Sequence, residues 1–574
     1  MQSATVGRRA VVAAALFLSV VALYAPVREF GFVNLDDNEY VTENPYVRSG
    51  LSRENVEWAA KAFHSGHWHP LTWIALMTDC EWSGTDPRAL HLVNVLLHGA
   101  GSAVLFLCLY SATRGFWLSA FVAALFALHP LRVESVAWVA ARKDVLSGLF
   151  LMLTLWAWVA YAKRPSLGRY ALVMVAYGLG LLSKPTLAVV PAGLVLLDHW
   201  PLGRRSLSGS LSGENRSSSS EKTESASLGW LLVEKLPLVA LAFLTLTQTW
   251  AAQHAAGAVV DESLSLATRI ANASWHYGLY LRRTLWPFDL AVFYPLRPAP
   301  VPGAAAVAIG VAALTLVAWR LRARRPYLLA GWLWFLGMLV PVSGIIQFGG
   351  QSVADRYTYI PHIGLFLALG WLAHDLLRRW PAARTVLAVL LLVGLAARSR
   401  DQLQYWRDST ALFERALAVT EENYFAHNNL GVALQAAGRQ DEAARHYQEA
   451  VRLNPTWPEA LNNLGIAHAW RGDFAGARGR FEDALRVRPD FARAENNIGT
   501  AYGREGNYER AIEHYARAVE LEPTYFDALF GLADALERRG RRDEAAATYR
   551  SILELRPGFP PAITALARLG GPAS

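Results

Sequence analysis

Runs of about twenty apolar residues recur through the first 400 residues of this 574-residue chain, and they constrain its fold more than any other feature. A helix that spans a bilayer needs about 20 mostly apolar residues. The runs therefore predict a polytopic helical membrane region, and we read the first of them as a retained anchor. We place eleven spans, over residues 9–27, 89–111, 115–131, 145–162, 170–183, 185–200, 231–251, 301–319, 326–346, 358–374 and 383–398.

Charge divides the chain into two parts. Residues 1–400 contain 34 basic and 22 acidic residues, a net charge of +12, whereas residues 401–574 contain 21 Arg and 25 acidic residues, a net charge of −4. Charged residues make up 18% of the chain and only two Cys are present, which excludes a disordered chain and a disulfide scaffold. The basic excess requires no nucleic acid, because basic loops set membrane topology.

Basic loops are expected to face the cytoplasm. With eleven spans every strongly basic loop does so, provided that residues 170–200 form a hairpin and residues 267–300 form a re-entrant or interfacial helix. Ten of residues 206–227 are Ser, which predicts a flexible cytoplasmic linker. The odd span count places the carboxyl-terminal part outside, which in a bacterium means an inner-membrane protein with a periplasmic domain. We therefore divide the chain into a membrane domain, 1–398, and an extracytoplasmic domain, 399–570.

The second domain contains a repeat of 34 residues. Proline, a small residue and an aromatic residue each recur at this interval, as Pro455, Pro489, Pro523 and Pro557, as Gly431, Gly465, Gly499 and Ala533, and as Tyr447, Phe481, Tyr515 and Tyr549. This order is typical of tetratricopeptide repeats, which stack into an α-solenoid. The fold class is therefore all-α. Paired asparagines on the first helices, among them Asn429, Asn463 and Asn497, are either ligands of an acceptor peptide or part of the helical framework.

The first external loop, 28–88, contains the adjacent acids Asp36 and Asp37. Two neighbouring carboxylates serve either as a solvated turn or as a site with a general base. They lack the one-residue gap of a metal-binding Asp-x-Asp pair, so no metal is required. The same loop contains His64, His67 and His69 without helical spacing, which favours contacts with a polar substrate, or plain loop structure, over zinc.

Five cations lie on the external face, against the topology rule. They are Arg132, Arg142, Lys143, Lys184 and Arg356. Together they would suit a lipid-linked phosphate. The alternative is that they pair with Glu134, Asp144 and Asp355.

These motifs jointly resemble a known family. The acidic pair, the sequence His69-Pro-Leu-Thr, the run from His129-Pro to Arg142-Lys-Asp, Leu-Leu-Ser-Lys184 and Asp355-Arg-Tyr-Thr-Tyr-Ile-Pro precede a tetratricopeptide array. The chain is thus similar to the transmembrane-and-tetratricopeptide-repeat protein O-mannosyltransferases, and more broadly to the GT-C glycosyltransferases. The resemblance implies a bacterial-type member with a polyprenyl-phosphate sugar donor, an external active site and an inverting transfer to protein hydroxyls.

By position, the resemblance makes Asp36 the general base and Asp37 its partner. The five cations would bind the donor phosphate, and His69, Glu134, Asp355 and Tyr357 would contact substrate. Asn429, Asn463 and Asn497 would contact the acceptor polypeptide. No cofactor is expected, because the lipid-linked sugar is a co-substrate. Two alternatives are a non-catalytic membrane scaffold that recruits partners through its repeats, and the same chemistry on a glycan or lipid acceptor.

Overall fold

The computed structural model describes residues 2–204, 227–255, 265–345 and 350–570. The chain forms two compact units, Met1–Thr420 and Glu421–Ser574. The regular secondary structure of the described residues is helical, and they contain no β-sheet, only one isolated bridge between Pro295 and Gln351. The predicted all-α class is confirmed. The predicted Ser-rich linker, apart from Ser227, lies outside the described residues.

The first unit is the membrane region, and each of the eleven predicted spans coincides with a helix there. Among the described residues, six helices are long and apolar enough to cross a bilayer: Val6–Glu29, Pro87–Thr113, Val139–Lys163, Gly229–His254, Val301–Arg320 and Pro381–Trp406. A seventh candidate is the pair Phe116–Leu128 and Pro130–Ala137, bent by 58°. The chain is therefore a multi-pass membrane protein, and the count of eleven stays a prediction.

The remaining helices of the first unit fall into two groups. The apolar ones are Leu167–Ser183, Pro185–His199, Pro326–Val342 and Pro361–Leu376. The others are Pro45–Arg48, Arg53–Lys61, Pro70–Ser83, Leu228–Val233, Leu266–Leu285 and Ser409–Val419. Leu266–Leu285 lies in the segment predicted to be re-entrant or interfacial.

Proline breaks place the polar motifs at helix ends. The residue before a proline is biased away from the helical conformation. His129, Lys184 and His69 each precede a proline, and none of the three has helical backbone angles. Each polar motif therefore lies where one helix stops and the next begins, as predicted for the turn at Lys184.

The second unit is a stack of paired helices. They are Tyr424–Ala436, Gln440–Leu453, Pro458–Trp470, Phe474–Val487, Ala492–Arg504, Tyr508–Leu521, Phe526–Arg538, Arg542–Leu555 and Pro560–Leu569. Each repeating proline follows two residues after the second helix of its pair. The repeating glycines are needed for close packing, since a Cβ on Gly431 would lie 2.5 Å from the Tyr447 ring. The predicted tetratricopeptide solenoid is confirmed.

Candidate active site

The two adjacent acids have different surroundings. Asp37 is fully buried, and its carboxylate accepts hydrogen bonds from the backbone N–H groups of Val33, at 3.0 Å, and Ala140, at 2.9 Å. Burial raises the pKa of Asp37 to about 7 against the effect of these hydrogen bonds. Asp37 therefore fastens its own loop to the turn that precedes Arg142.

Asp36 is partly exposed, and its carboxylate makes no hydrogen bond or ion pair with any residue in the described ranges. Burial raises the pKa of Asp36, and the charges of Lys143 and Arg356 act in the opposite direction. An accessible carboxylate with a raised pKa is suited to accepting a proton. The two acids therefore differ: Asp37 is buried and hydrogen-bonded to the backbone, whereas Asp36 is accessible and its carboxylate has no such partner among the described residues.

Tyr40 holds Lys143 beside this acid. The Lys143 ammonium donates a hydrogen bond of 2.7 Å to the Tyr40 hydroxyl and lies 4.6 Å from the centre of its ring. Tyr40 is itself tied to Asp36, because its backbone N–H donates to the Asp36 carbonyl at 2.9 Å. One short helical segment, Asn38–Thr42, therefore connects the acid and the ammonium group.

Two of the other predicted cations form ion pairs with Glu134 and Asp144. Arg356 pairs with Glu134, and its backbone N–H also donates to Glu134 at 2.8 Å. Lys184 pairs with Asp144. Pairing with Glu134 and Asp144 is the alternative role that the sequence analysis gives for these cations. Both cations still retain some exposure, at 15% of the side chain each, so that they can contact a ligand as well.

Arg132 and Arg142 are completely buried and donate hydrogen bonds to protein atoms, although Nε and Nη1 of Arg132 have no acceptor among the described residues. Arg142 pairs with Asp79 and donates to the Leu90 carbonyl at 2.8 Å. Arg132 donates to the Thr358 hydroxyl at 3.1 Å and to His362. Their guanidinium groups therefore connect elements that are distant in sequence.

The histidine and aromatic residues of the first loop pack together next to Lys143. His69 is 2% exposed and its ring lies 5.6 Å from Tyr40 and 4.8 Å from Trp73, centre to centre. Burial, aided by nearby positive charges, holds the pKa of His69 well below its usual range, so the ring is neutral. Its Nε2 atom is buried and makes no hydrogen bond to the described residues.

No metal site is formed within the described ranges, where no group of three His, Cys, Asp or Glu side chains is placed to hold an ion. The His67 and His69 rings nevertheless lie close together, 5.4 Å apart between centres.

Asp355 and Tyr357 flank Arg356. Asp355 accepts a hydrogen bond of 3.0 Å from the Tyr294 hydroxyl, and burial raises its pKa. The Tyr357 ring lies 5.1 Å from the Arg356 guanidinium. The structure thus brings Asp36, Lys143, Arg356, Glu134 and Asp355 into one electrostatic group.

One cation of this group, Arg283, is not among the candidates that the sequence predicts. It is 5% exposed and its guanidinium lies 3.6 Å from the centre of the Tyr294 ring. In the sequence it resembles its neighbour Arg282, a basic residue at the end of a helix. No local signal separates the two.

In the repeats, the predicted acceptor-binding asparagines are half-buried and hydrogen-bonded. The side-chain N–H groups of Asn463 and Asn497 donate to Asn428, at 2.9 Å, and Asn462, at 2.8 Å, one repeat earlier. That of Asn429 donates to the Phe425 carbonyl at 2.9 Å. The framework role is therefore present, and a role in acceptor binding stays a prediction.

Both parts of the chain match known families. Residues 75–210 match the family described as dolichyl-phosphate-mannose-protein mannosyltransferase. Residues 424–457, 458–521 and 496–560 match tetratricopeptide repeats. The chain thus combines a membrane region similar to a mannosyltransferase family with a repeat solenoid.

Proteins named as O-mannosyl-transferases match about three quarters of the chain. The chain is 25% identical over 492 residues to protein O-mannosyl-transferase TMTC4 of Mus musculus, with 76% of this chain and 66% of that protein covered. It is 26% identical over 490 residues to protein O-mannosyl-transferase TMTC1 of Homo sapiens, with 74% and 53% covered. The chain is thus a relative of the transmembrane-and-tetratricopeptide-repeat O-mannosyltransferases, as its motifs predict, and spans about half to two thirds of their length.

Solved structures of tetratricopeptide-repeat proteins match about a quarter to a third of the chain. One is YrrB, described as a TPR protein with an unusual peptide-binding site, with 23% identity, 27% of this chain and 82% of that chain covered, and a TM-score of 0.24. Another is a thermophilic TPR protein of Thermus thermophilus, with 25% identity, 31% and 94% covered, and a TM-score of 0.26.

Proposed function

We propose that this chain transfers a sugar, with mannose as the expected hexose, from a polyprenyl phosphate to Ser or Thr hydroxyls of extracytoplasmic proteins, with inversion at the anomeric carbon. The observation that carries the proposal is the Asp36 carboxylate, which has no hydrogen bond or ion pair to the described residues and lies within the fields of Lys143 and Arg356. The relatives named as O-mannosyltransferases support the choice of sugar and acceptor.

Asp36 acts as the general base. The acceptor oxygen forms a bond to the anomeric carbon while the bond from that carbon to the phosphate oxygen breaks. Asp36 takes the hydroxyl proton, and the leaving phosphate keeps the bonding electrons. Asp37 positions Asp36, because its two backbone hydrogen bonds fix the loop that carries both acids.

The cations stabilise the charge that grows on the leaving phosphate. The proposal rests on Lys143, Lys184 and Arg356, since these three surround the acidic loop and its histidines. Arg132 and Arg142 are predicted for the same role, but their guanidinium groups already bind protein atoms. The neutral His69 ring forms a hydrogen bond to the sugar. Glu134 orients Arg356, and Asp355 orients Tyr294. No cofactor enters this scheme.

The repeats are proposed to bind the acceptor polypeptide on the periplasmic side of an inner membrane. Solenoids of paired helices commonly present an extended binding surface. Asn463 is the best candidate ligand of the predicted set, because its half-buried amide sits at the centre of the stack between the first and third repeats.

The test is an in vitro transfer reaction with the full chain in lipid nanodiscs, a polyprenyl-phosphate mannose donor and Ser/Thr-containing periplasmic proteins. Peptide mass spectrometry measures the added hexose. Wild type should modify hydroxyl residues, and Asp36→Asn should not.

Asp86→Asn is the matched control. Asp86 lies in the same external loop and caps the helix Pro87–Thr113 by accepting the Arg88 N–H at 3.0 Å. Asparagine caps helices as well as aspartate does, so this variant should keep full activity. If wild type and Asp36→Asn transfer sugar equally well, Asp36 is not the general base. If wild type adds no hexose to any protein or peptide, the proposed function is wrong.

A further inference from the structure

Arg283 is a buried cation without an ionic partner in the described part of the chain. It is 5% exposed, and it forms no ion pair and no hydrogen bond with the residues that the structure describes. Its Nε and Nη1 atoms are both buried donors without an acceptor among those residues. The guanidinium instead stacks at 3.6 Å from the Tyr294 ring centre.

Such an arrangement is costly for a protein that has no use for it. Leaving a buried donor unsatisfied costs its full desolvation, and the cost is larger for charged groups. Buried charges are normally paired. Three cations nearby follow this rule, because Arg142 pairs with Asp79, Lys184 with Asp144 and Arg356 with Glu134. Two more, Arg132 and Lys143, form no ion pair with the described residues but donate side-chain hydrogen bonds to Thr358 and Tyr40, whereas Arg283 donates none.

Arg283 is connected to the candidate active site through two residues. The Tyr294 ring beneath its guanidinium donates a hydroxyl hydrogen bond of 3.0 Å to Asp355. Asp355 directly precedes Arg356, whose charge reaches Asp36. Arg283 thus belongs to the same group of charges as the proposed base and adds a planar fork of donors to it.

We propose that Arg283 is a binding residue for the phosphate of the lipid-linked donor, and that the phosphate oxygens accept hydrogen bonds from its guanidinium group. The chemistry fits, because a guanidinium fork binds phosphate oxygens in a bidentate manner. Tyr294 fixes the plane of the fork by stacking. This inference rests on the proposed function, and it adds a ligand that the motif-based set of five cations lacks.

The test measures binding separately from turnover. The full chain in nanodiscs is titrated with farnesyl monophosphate, a short polyprenyl phosphate, and with uncharged farnesol, by calorimetry. Arg283→Gln should weaken binding of farnesyl monophosphate roughly 10- to 100-fold, as expected for loss of charged hydrogen bonds, and leave farnesol binding unchanged. Arg283→Lys should recover part of the affinity, because a point charge replaces the fork.

Arg282→Gln is the matched control, since Arg282 is the next residue back, is 54% exposed and pairs with Asp289. It should bind both ligands as wild type does. If Arg283→Gln keeps wild-type affinity for farnesyl monophosphate, or weakens farnesol equally, Arg283 is not a phosphate ligand. If wild type fails to transfer sugar yet binds the phosphate through Arg283, the proposed transfer fails and the anion site remains.

Discussion

The membrane unit contains two clusters of charged residues, each with equal numbers of acidic and basic side chains. The charges are fully paired in one cluster, called closed below, and only partly paired in the other, called open. The closed cluster consists of Asp198, Arg204, Glu234 and Lys235. Each cation in it contacts both acids, at 2.6 to 3.2 Å, and no side chain is more than 7% exposed. The open cluster consists of Asp36, Glu134, Asp144, Asp355, Lys143, Lys184, Arg283 and Arg356. It has four charges of each sign, and the described residues form only two ion pairs within it.

Structural charges in this protein are paired with one another, whereas several of the proposed functional charges are left without an ionic partner in the described part of the chain. In the closed cluster every charge is neutralised by side chains, and Trp158 donates a further hydrogen bond of 3.0 Å to Asp198. In the open cluster four charges form no ion pair within the described ranges: Asp36, Asp355, Lys143 and Arg283. Charges that a protein keeps unpaired at a membrane edge indicate a ligand.

The largest expected effect is on Asp36. Asp36→Asn should lower kcat/KM by about 10²- to 10⁴-fold, the usual contribution of a general base, and leave the thermal unfolding midpoint in detergent unchanged. Transfer assays and unfolding curves on the same preparation give both numbers. A variant that unfolds earlier but turns over normally would place Asp36 with the structural charges.

The same substitution in the closed cluster should have the reverse effect. Asp198→Asn leaves Arg204 and Lys235 with one acid between them, and breaking a buried pair costs about 3–5 kcal/mol of stability. Unfolding in detergent should therefore occur at lower temperature, with unchanged turnover per folded molecule. Asp289→Asn, which removes a partly exposed pair with Arg282, should cost less than about 1 kcal/mol.

The pH dependence of transfer sharpens the comparison further. Asp36 must be ionised to act as a base, and its pKa is raised by burial. Activity should be full at high pH and fall about tenfold per unit as pH drops through that pKa, starting above the ordinary value of about 3.9. A profile of kcat/KM that stays flat down to the ordinary value would contradict an Asp36 base.

The smallest effect is expected in the repeats, where polar side chains hydrogen-bond to one another, as the charges of the closed cluster pair with one another. Asn463→Ala removes the hydrogen bond to Asn428 and should cost about 0.5–1.5 kcal/mol, visible as faster hydrogen exchange in the helix Pro458–Trp470. If Asn463 also contacts the acceptor, KM for the acceptor protein should rise a few-fold at constant kcat. An unchanged KM would restrict Asn463 to the framework role.

Local sequence predicts most of the fold. Apolar run length locates the eleven helical segments, and the 34-residue period locates the helix pairs, because both depend only on residues close in the chain. The division of labour between Asp36 and Asp37 depends on a contact with Ala140, 103 residues away from Asp37. No spacing rule contains that information.

The dependence on distant contacts also explains why the sequence does not predict the environments of Arg142 and Arg283. Sequence position groups Arg142 with Lys143 as a cation on the external face, whereas its pairing with Asp79 spans 63 residues. Arg283 escapes prediction because its burial arises from packing against Tyr294. Whether a charge is partnered is a tertiary property, so sequence reasoning identifies the motifs of this group and misses one of its members.

The closed cluster joins parts of the chain that lie on either side of residues 205–226. Asp198 and Arg204 come before that interval, and Glu234 and Lys235 come after it. Each side alone would bury one acid and one base without their cross-partners. A gene divided at this interval should therefore yield two polypeptides that associate in the membrane. The ion pairs among the four charges would then form between the fragments and make their association specific.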